Sequence, residues 1–217
     1  MLYELRVYDA MPGKLGALND RFAKHTTGFF KNHGIGIVGF WTAVIGTGNQ
    51  LTYILSFDDM ADREEKWGAF QNNSDWHKVR ADSERDGTLV ASVQNSFMRL
   101  TSYSPEPKIS TNLQELRVYQ AVPGKLPALN SRFADHTTHL FEKHGIRNVG
   151  YWTHDVGANN QLFYMVGHAG LADREKNFAA FGADPDWQQA RAESERDGPL
   201  TVKTQSSILQ PTAYSPR

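Results

Sequence analysis

The chain has no cysteine, which excludes disulfides, thiolate metal sites and a cysteine nucleophile, and fits a reducing compartment. It also lacks a charge of one dominant sign. Its 23 Lys and Arg stand against 24 Asp and Glu, and a net charge of −1 supplies no field to draw it to nucleic acid or to anionic lipid. Long apolar runs are missing too: no stretch approaches the roughly 18 residues a membrane-spanning helix needs, so no membrane insertion is expected. Met1 leads almost directly into a strand-like run, leaving no room for a signal or transit peptide, and the expected location is cytoplasmic. Phosphate loops, Ser-His-Asp triads and zinc knuckles are likewise absent, since Gly46-x-Gly48 lies in a hairpin rather than between a strand and a helix.

What is present is a repetition. The stretch RFAKHTTGFFKNHGIGIVGFW, residues 21–41, returns without a gap as RFADHTTHLFEKHGIRNVGYW at 132–152. The offset of 111 positions holds from Glu4 against Glu115 to Pro105 against Pro216, and 54 of those 102 pairs are identical. A period near 100 residues is domain-sized and far above that of solenoid arrays. The chain therefore reads as a first repeat at 1–105, a linker at 106–112 and a second repeat at 113–217. With 40% hydrophobic and 12% aromatic residues, each repeat can build a core.

Within one repeat, Leu2 to Tyr8 alternates, with Tyr3, Leu5 and Val7 on one face and Glu4, Arg6 and Tyr8 on the other. Pro12-Gly13 opens a helix whose stripe of Leu15, Leu18, Phe22 and Phe29 also carries His25. Gly34 ends it. Strands follow at 35–42 and 50–57 around the turn at 46–49, then a helical stretch interrupted near Ser74-Asp75, then a strand at 93–100. The order β-α-β-β-α-β is ferredoxin-like, with two helices on one face of a four-stranded antiparallel sheet. The helix-free face spans roughly 300 to 350 Å², and covering it contributes up to roughly 8 kcal/mol. The simplest cover is the other repeat, packed sheet to sheet.

These residues resemble the NIPSNAP family, of the dimeric α/β-barrel superfamily. The likeness rests on YELRVY with PGKL (Tyr3 to Tyr8, Pro12 to Leu15), on His33-Gly34 leading to Val38-Gly39-Phe40-Trp41, on Ala61-Asp62-Arg63 and Asp75-Trp76, and on the closing Tyr103-Ser104-Pro105, all repeated in the second copy. It implies an α+β fold of two tandem ferredoxin-like repeats forming an intrachain pseudo-dimeric α/β barrel around a lumen. Superfamily relatives include cofactor-independent monooxygenases, haem-degrading or haem-binding enzymes and stress-response barrels, all using the lumen.

Candidate ligand-binding residues follow from the face assigned to that lumen. Arg6 and Tyr8, with Arg117 and Tyr119, could orient an anionic or phenolic group, because Arg matches carboxylates bidentately and stays charged. The plainer reading is that Arg6 pairs with Glu4, and Arg117 with Glu115. Trp41 and Trp152 close their strands and are candidates for the lumen wall or for core. His25 and His136 sit on buried stripes, as core histidines or as acid-base groups, whereas His33 and His144 suit helix capping.

The second copy gains His139, His154 and His168 where the first has Gly28, Ala43 and Phe57. His136-x-x-His139 is a weak metal signal with no completing carboxylate, and His168 occupies an enclosed strand position open to a haem-ligand reading.

The leading reading is a lumen that binds a small apolar or aromatic molecule, with cofactor-independent oxygenation or isomerisation as the chemistry. The rivals are a non-enzymatic protein-interaction protein and a haem or metal binder. No cofactor is expected under the first reading, and the two-repeat chain has scope to form a homodimer.

Overall fold

A computed structural model describes all 217 residues. The first repeat runs β1 (Leu2–Ala10), α1 (Leu15–Arg21), a π-helical turn (Phe22–Thr26), α2 (Thr27–Asn32), β2 (Gly36–Ile45), β3 (Gln50–Phe57), α3 (Met60–Gln71), α4 (Ser74–Ser83) and β4 (Val90–Leu100). The second repeats it as β5 (Leu113–Ala121), α5 (Leu126–Arg132), a π-turn (Phe133–Thr137), α6 (Thr138–Lys143), β6 (Arg147–Val156), β7 (Gln161–His168), α7 (Leu171–Ala183), α8 (Pro185–Ser194) and β8 (Thr201–Pro211). All strand pairs are antiparallel, giving the order β2-β3-β1-β4 in the first sheet and β6-β7-β5-β8 in the second. The fold class is α+β, two tandem ferredoxin-like repeats.

Two compact units form, one of Met1–Met98 with Pro211–Arg217 and one of Arg99–Gln210. The closing Tyr-Ser-Pro motif explains this division. In the first unit Thr212 donates its N–H to Phe40 O at 2.9 Å, Ser215 Oγ accepts from Phe40 N at 2.9 Å, and the Tyr214 ring lies 5.2 Å from that of Phe40. In the second, Thr101 N–H donates to Tyr151 O at 2.9 Å, Ser104 Oγ accepts from Tyr151 N, and Tyr103 packs on Tyr151. Each motif finishes the unit built by the opposite copy, so the compact units and the sequence repeats differ at their last residues.

The π-turn alters the helix face that periodicity suggests. Thr27 N–H bonds to Phe22 O, five residues back rather than four, and Thr138 does the same to Phe133. The extra residue shifts the stripe, so that Thr26 and Phe30 are buried while His25 is exposed. The expectation of a buried His25 is corrected on that ground. The helix then ends at Gly34, φ +68°, with Ile35 N–H reaching back to Phe30 O at 2.9 Å, a left-handed glycine cap.

The interruption of the second helical stretch also lies one residue earlier than its sequence suggests. Asn73, not Ser74, caps α4, its Oδ1 accepting from Asp75 N at 2.9 Å and Trp76 N at 3.1 Å. Asp184 with Pro185 does the same work for α8.

The side of the sheet on which the helices lie is the larger correction. Leu2, Ala10, Phe22, Phe30, Phe40, Tyr53 and Phe70 make one core cluster, with Tyr8 and Trp67 packed against it, so the even residues of β1 face the helices. Glu4, Arg6 and Tyr8 are therefore under the helices, not on the bare face, and Tyr3 takes the other side. Alternation defines two faces, but it does not say which one the helices cover.

Phe22 sits at the centre of this packing, 2% exposed, its ring 5.3 Å from Tyr53 and 5.6 Å from Phe40. Replacing it with alanine is expected to cost about 3–5 kcal/mol in urea unfolding, whereas His25→Ala changes stability by less than about 0.5 kcal/mol. A large loss from His25→Ala would contradict the shifted stripe.

Candidate functional site

Between the sheet and the helices of the first unit lies a cavity of about 400 Å³. Arg6 and Tyr8 reach it from β1, Arg21 from α1, Phe22 and Thr26 from the π-turn, and Trp67 from α3. The second unit holds the corresponding cavity, about 260 Å³, with Arg117, Tyr119, Arg132 and Phe133 in the matching places and Phe178 where the first has Trp67. The repeat of the sequence is thus a repeat of the site.

Arg6 is the hub of the first cavity. It donates Nε to Tyr53 Oη at 2.9 Å, Nη1 to Glu4 Oε1 and Nη2 to Tyr8 Oη at 3.3 Å, and its guanidinium lies 4.3 Å from the centroid of Trp67. Glu4 has no exposed surface and accepts further from Arg63, at 3.0 and 3.2 Å, and from Asn95 at 3.1 Å. Burial pushes the Glu4 carboxyl up, and the hydrogen bonds and charge of Arg63 and Arg6 more than reverse that, holding it below the usual carboxylate range. The plainer pairing reading of Arg6 with Glu4 therefore holds, while Tyr8 remains on the cavity wall. Burial raises the Tyr53 phenol well above its ordinary value, so it stays protonated.

Arg21 is the residue the sequence reading passed over. It is 6% exposed, with Nη1 donating to Glu84 at 3.0 Å and Ser83 at 3.3 Å, and its buried Nε has no partner. Arg132 repeats this, with Glu195 at 2.8 Å, Ser194 at 3.3 Å and an unpartnered Nε. A buried donor left unpaired costs about 1–3 kcal/mol, and both units carry that cost at the same position. The available signal was Arg-Phe standing unchanged in both copies, with the charge next to the buried stripe. In the first cluster four guanidinium groups (Arg6, Arg21, Arg63, Arg80) meet two carboxylates (Glu4, Glu84), and the second cluster matches it residue for residue. Each cavity is left electropositive.

The other candidates lie elsewhere. Trp41 and Trp152 have no exposed surface and are borders of neither cavity. The β2 and β6 registers slip between Ile37 and Gly39 and between Asn148 and Gly150, which is why their parity cannot be counted along the sequence. A side chain at Gly150 would meet the Trp152 ring at 2.3 Å, so the glycine makes room for the indole.

No histidine lines either cavity. His136 is half-buried on the helical surface, with its ring centroid 6.4 Å from that of exposed His139, and no group of three or more His, Asp or Glu is placed to hold a metal ion. His168 is 2% exposed, with Nε2 3.5 Å from Glu115 Oε2 and its ring beside Phe178. His33 donates Nδ1–H to Phe29 O at 2.8 Å as a helix cap, whereas His144 Nε2 meets Asp184 Oδ2 at 2.6 Å.

The NIPSNAP family model matches residues 3–105 and 114–216, and the chain belongs to the NIPSNAP family. A Caenorhabditis elegans protein provisionally named NipSnap is 26% identical over 99% of this chain, which spans only 40% of its length. A NipSnap homolog of Dictyostelium discoideum is 23% identical over 80% of this chain and 72% of its own.

Among solved structures, a NIPSNAP family protein of unknown function from Agrobacterium tumefaciens is 25% identical, covering 52% of this chain and 98% of its own at a TM-score of 0.44. A Lactobacillus acidophilus protein provisionally called a monooxygenase covers 97% of this chain and 93% of its own at 0.63 with 7% identity. An anthrone oxidase-like protein covers 97% and 91% at 0.59 with 9% identity. The last two bear on the fold alone. No helix is long and apolar enough to cross a membrane.

The paired carboxylates make stability acid-sensitive. Burial raises the Glu115 carboxyl, but the contacts of His168 and Arg174 and the charge of Arg117 bring it down to about 2. A depressed folded-state value adds stability above the unfolded value, about 4.3, and that contribution is lost as the pH falls toward about 2. Glu115→Gln is expected to lose about 3 kcal/mol at pH 7 and to show a flatter stability profile over that acid window, measured by urea unfolding at stepped pH. An unchanged profile would contradict the role of this carboxylate.

Proposed function

We propose that the protein binds a small, planar, largely apolar molecule with an acidic or phenolic group, in the cavity between helices and sheet. The observation that carries this is an aromatic, electropositive cavity of about 400 Å³ whose wall brings Arg6, Arg21 and Tyr8 beside Phe22, Phe30, Trp67 and Trp76. That volume falls within the roughly 300–1,000 Å³ common to small-molecule sites. Phe22, Phe30, Trp67 and Trp76 offer ring surface to the body of the ligand, and the Arg21 guanidinium and the Tyr8 hydroxyl offer donors to its oxygen. A phenol, enol or carboxylic acid bound there meets a field that favours its anion.

The reaction class that suits such a site is cofactor-independent oxygenation or isomerisation, because both proceed through a delocalised anion of the substrate. With no imidazole on the wall, the Glu84 carboxylate there is the base that takes the ligand's acidic proton, and the excess guanidinium charge stabilises the anion left behind. The names of the structural neighbours, one provisionally a monooxygenase and one anthrone oxidase-like, agree with this chemistry without assigning it.

Titration of the chain with 1-hydroxy-2-naphthoate in a calorimeter is expected to show binding at least about tenfold tighter than that of naphthalene in a solubilised competition assay, a difference of about 1.4 kcal/mol. Arg21→Lys, which keeps the charge but removes the Nε donor, is expected to weaken the acid about five- to tenfold and leave naphthalene unaffected. Equal affinities for both probes, or an acid affinity indifferent to Arg21→Lys, would sink the assignment.

A further inference from the structure

The two cavities share their guanidinium groups but not their shape, and we infer that only the first is a ligand site, so that each chain takes one planar aromatic ligand, selected by Trp67. This rests on the binding reading above. Arg21 and Arg132 stand alike in the two walls, whereas Arg6 Nε donates to Tyr53 and the Nε of its counterpart Arg117 has no partner, so the guanidinium groups alone do not favour the first unit. Space does. The first cavity, about 400 Å³, is within the range of small-molecule sites, whereas the second, about 260 Å³, is below its lower end of roughly 300 Å³.

The walls differ as well. Trp67 becomes Phe178, Gln71 becomes Gly182, and the apolar Val90 and Val93 of β4 become Thr201 and Thr204 of β8. The first cavity thus has an indole and two valines where the second has a phenyl ring and two threonines.

Trp67 is also held for the task. Its ring lies 4.3 Å from the Arg6 guanidinium carbon and 5.1 Å from that of Arg63, and packs 5.3 Å from Phe70 and 6.0 Å from Phe30. An indole held by two cations and two rings is fixed in place, so that ordering it on binding costs little. Phe178 has Arg174 at 4.8 Å and Arg117 at 5.2 Å, but a smaller ring and a narrower space beside it. The retained charges and rings of the second unit are accounted for by its core, in which Phe133, Phe141 and Tyr164 are buried together.

Calorimetry on the full chain with 1-hydroxy-2-naphthoate tests this. The expected result is one ligand per chain, an affinity about tenfold weaker in Trp67→Phe, and an unchanged affinity and stoichiometry in Phe178→Leu, with thermal unfolding confirming that both variants fold. Two ligands per chain, or equal weakening by the two substitutions, overturns the single-site inference and leaves the binding reading standing. No binding by the unaltered chain overturns both.

Discussion

A carboxylate with no access to water, Glu4 in one unit and Glu115 in the other, is the constraint on which the rest depends. Removing such a charge from solvent costs several kcal/mol unless donors surround it. Two arginines supply them, Arg6 from two residues along the same strand and Arg63 from α3 in the first unit, Arg117 and Arg174 in the second. The helix must therefore lie close enough to the sheet for Arg63 to reach Glu4, and what separates them must tolerate guanidinium groups. Aromatic rings do so, since their faces attract cations where aliphatic chains would only desolvate them. That is why Trp67 and Tyr8 in the first unit, and Phe178 and Tyr119 in the second, stand where a helix-to-sheet contact would ordinarily be leucine and valine.

The cavity follows from the same arrangement. Rigid rings arranged edge to face around a planar cation fill space less completely than branched side chains do. The π-turn adds to this by turning Thr26 and Thr137 inward, small residues each spending their hydroxyl on a backbone carbonyl, Arg21 O at 3.3 Å and Arg132 O at 3.2 Å. A short side chain at the point where a regular helix would place a longer one leaves room beside Phe22 and Phe133. The π-turn and the buried ion pair thus act together, one opening the space and the other giving it charge.

Much of the fold was legible because it depends on local patterns repeated twice: the alternation of Leu2 to Tyr8, the turn before Gln50, the glycine after His33. Arg6 and Tyr8 were also recognisable as a pair, since residues two apart on a strand share a face whatever covers it. The identity of that cover was not legible, because a charged face normally signals solvent or an interface, and here it lies beneath helices. His25 was misplaced by a single extra residue in a helical turn, which leaves no trace in hydrophobic periodicity. Arg21 was overlooked for the opposite reason: a charge beside a buried stripe reads as a solvated flank until its partners Glu84 and Ser83, more than 60 positions away, are brought beside it.

The duplication itself bears on function. If the charge network served stability alone, drift would be expected to fall evenly on the two copies, and replacing a buried ion pair with apolar residues would often be neutral or stabilising. Both networks persist instead, although nearly half of the aligned pairs differ, among them Trp67 and Phe178, Gln71 and Gly182, and Val90 and Thr201 on the cavity wall. Retained charge with altered shape is the pattern expected when the electrostatic frame is needed to build each unit and the space it encloses is free to differ between them.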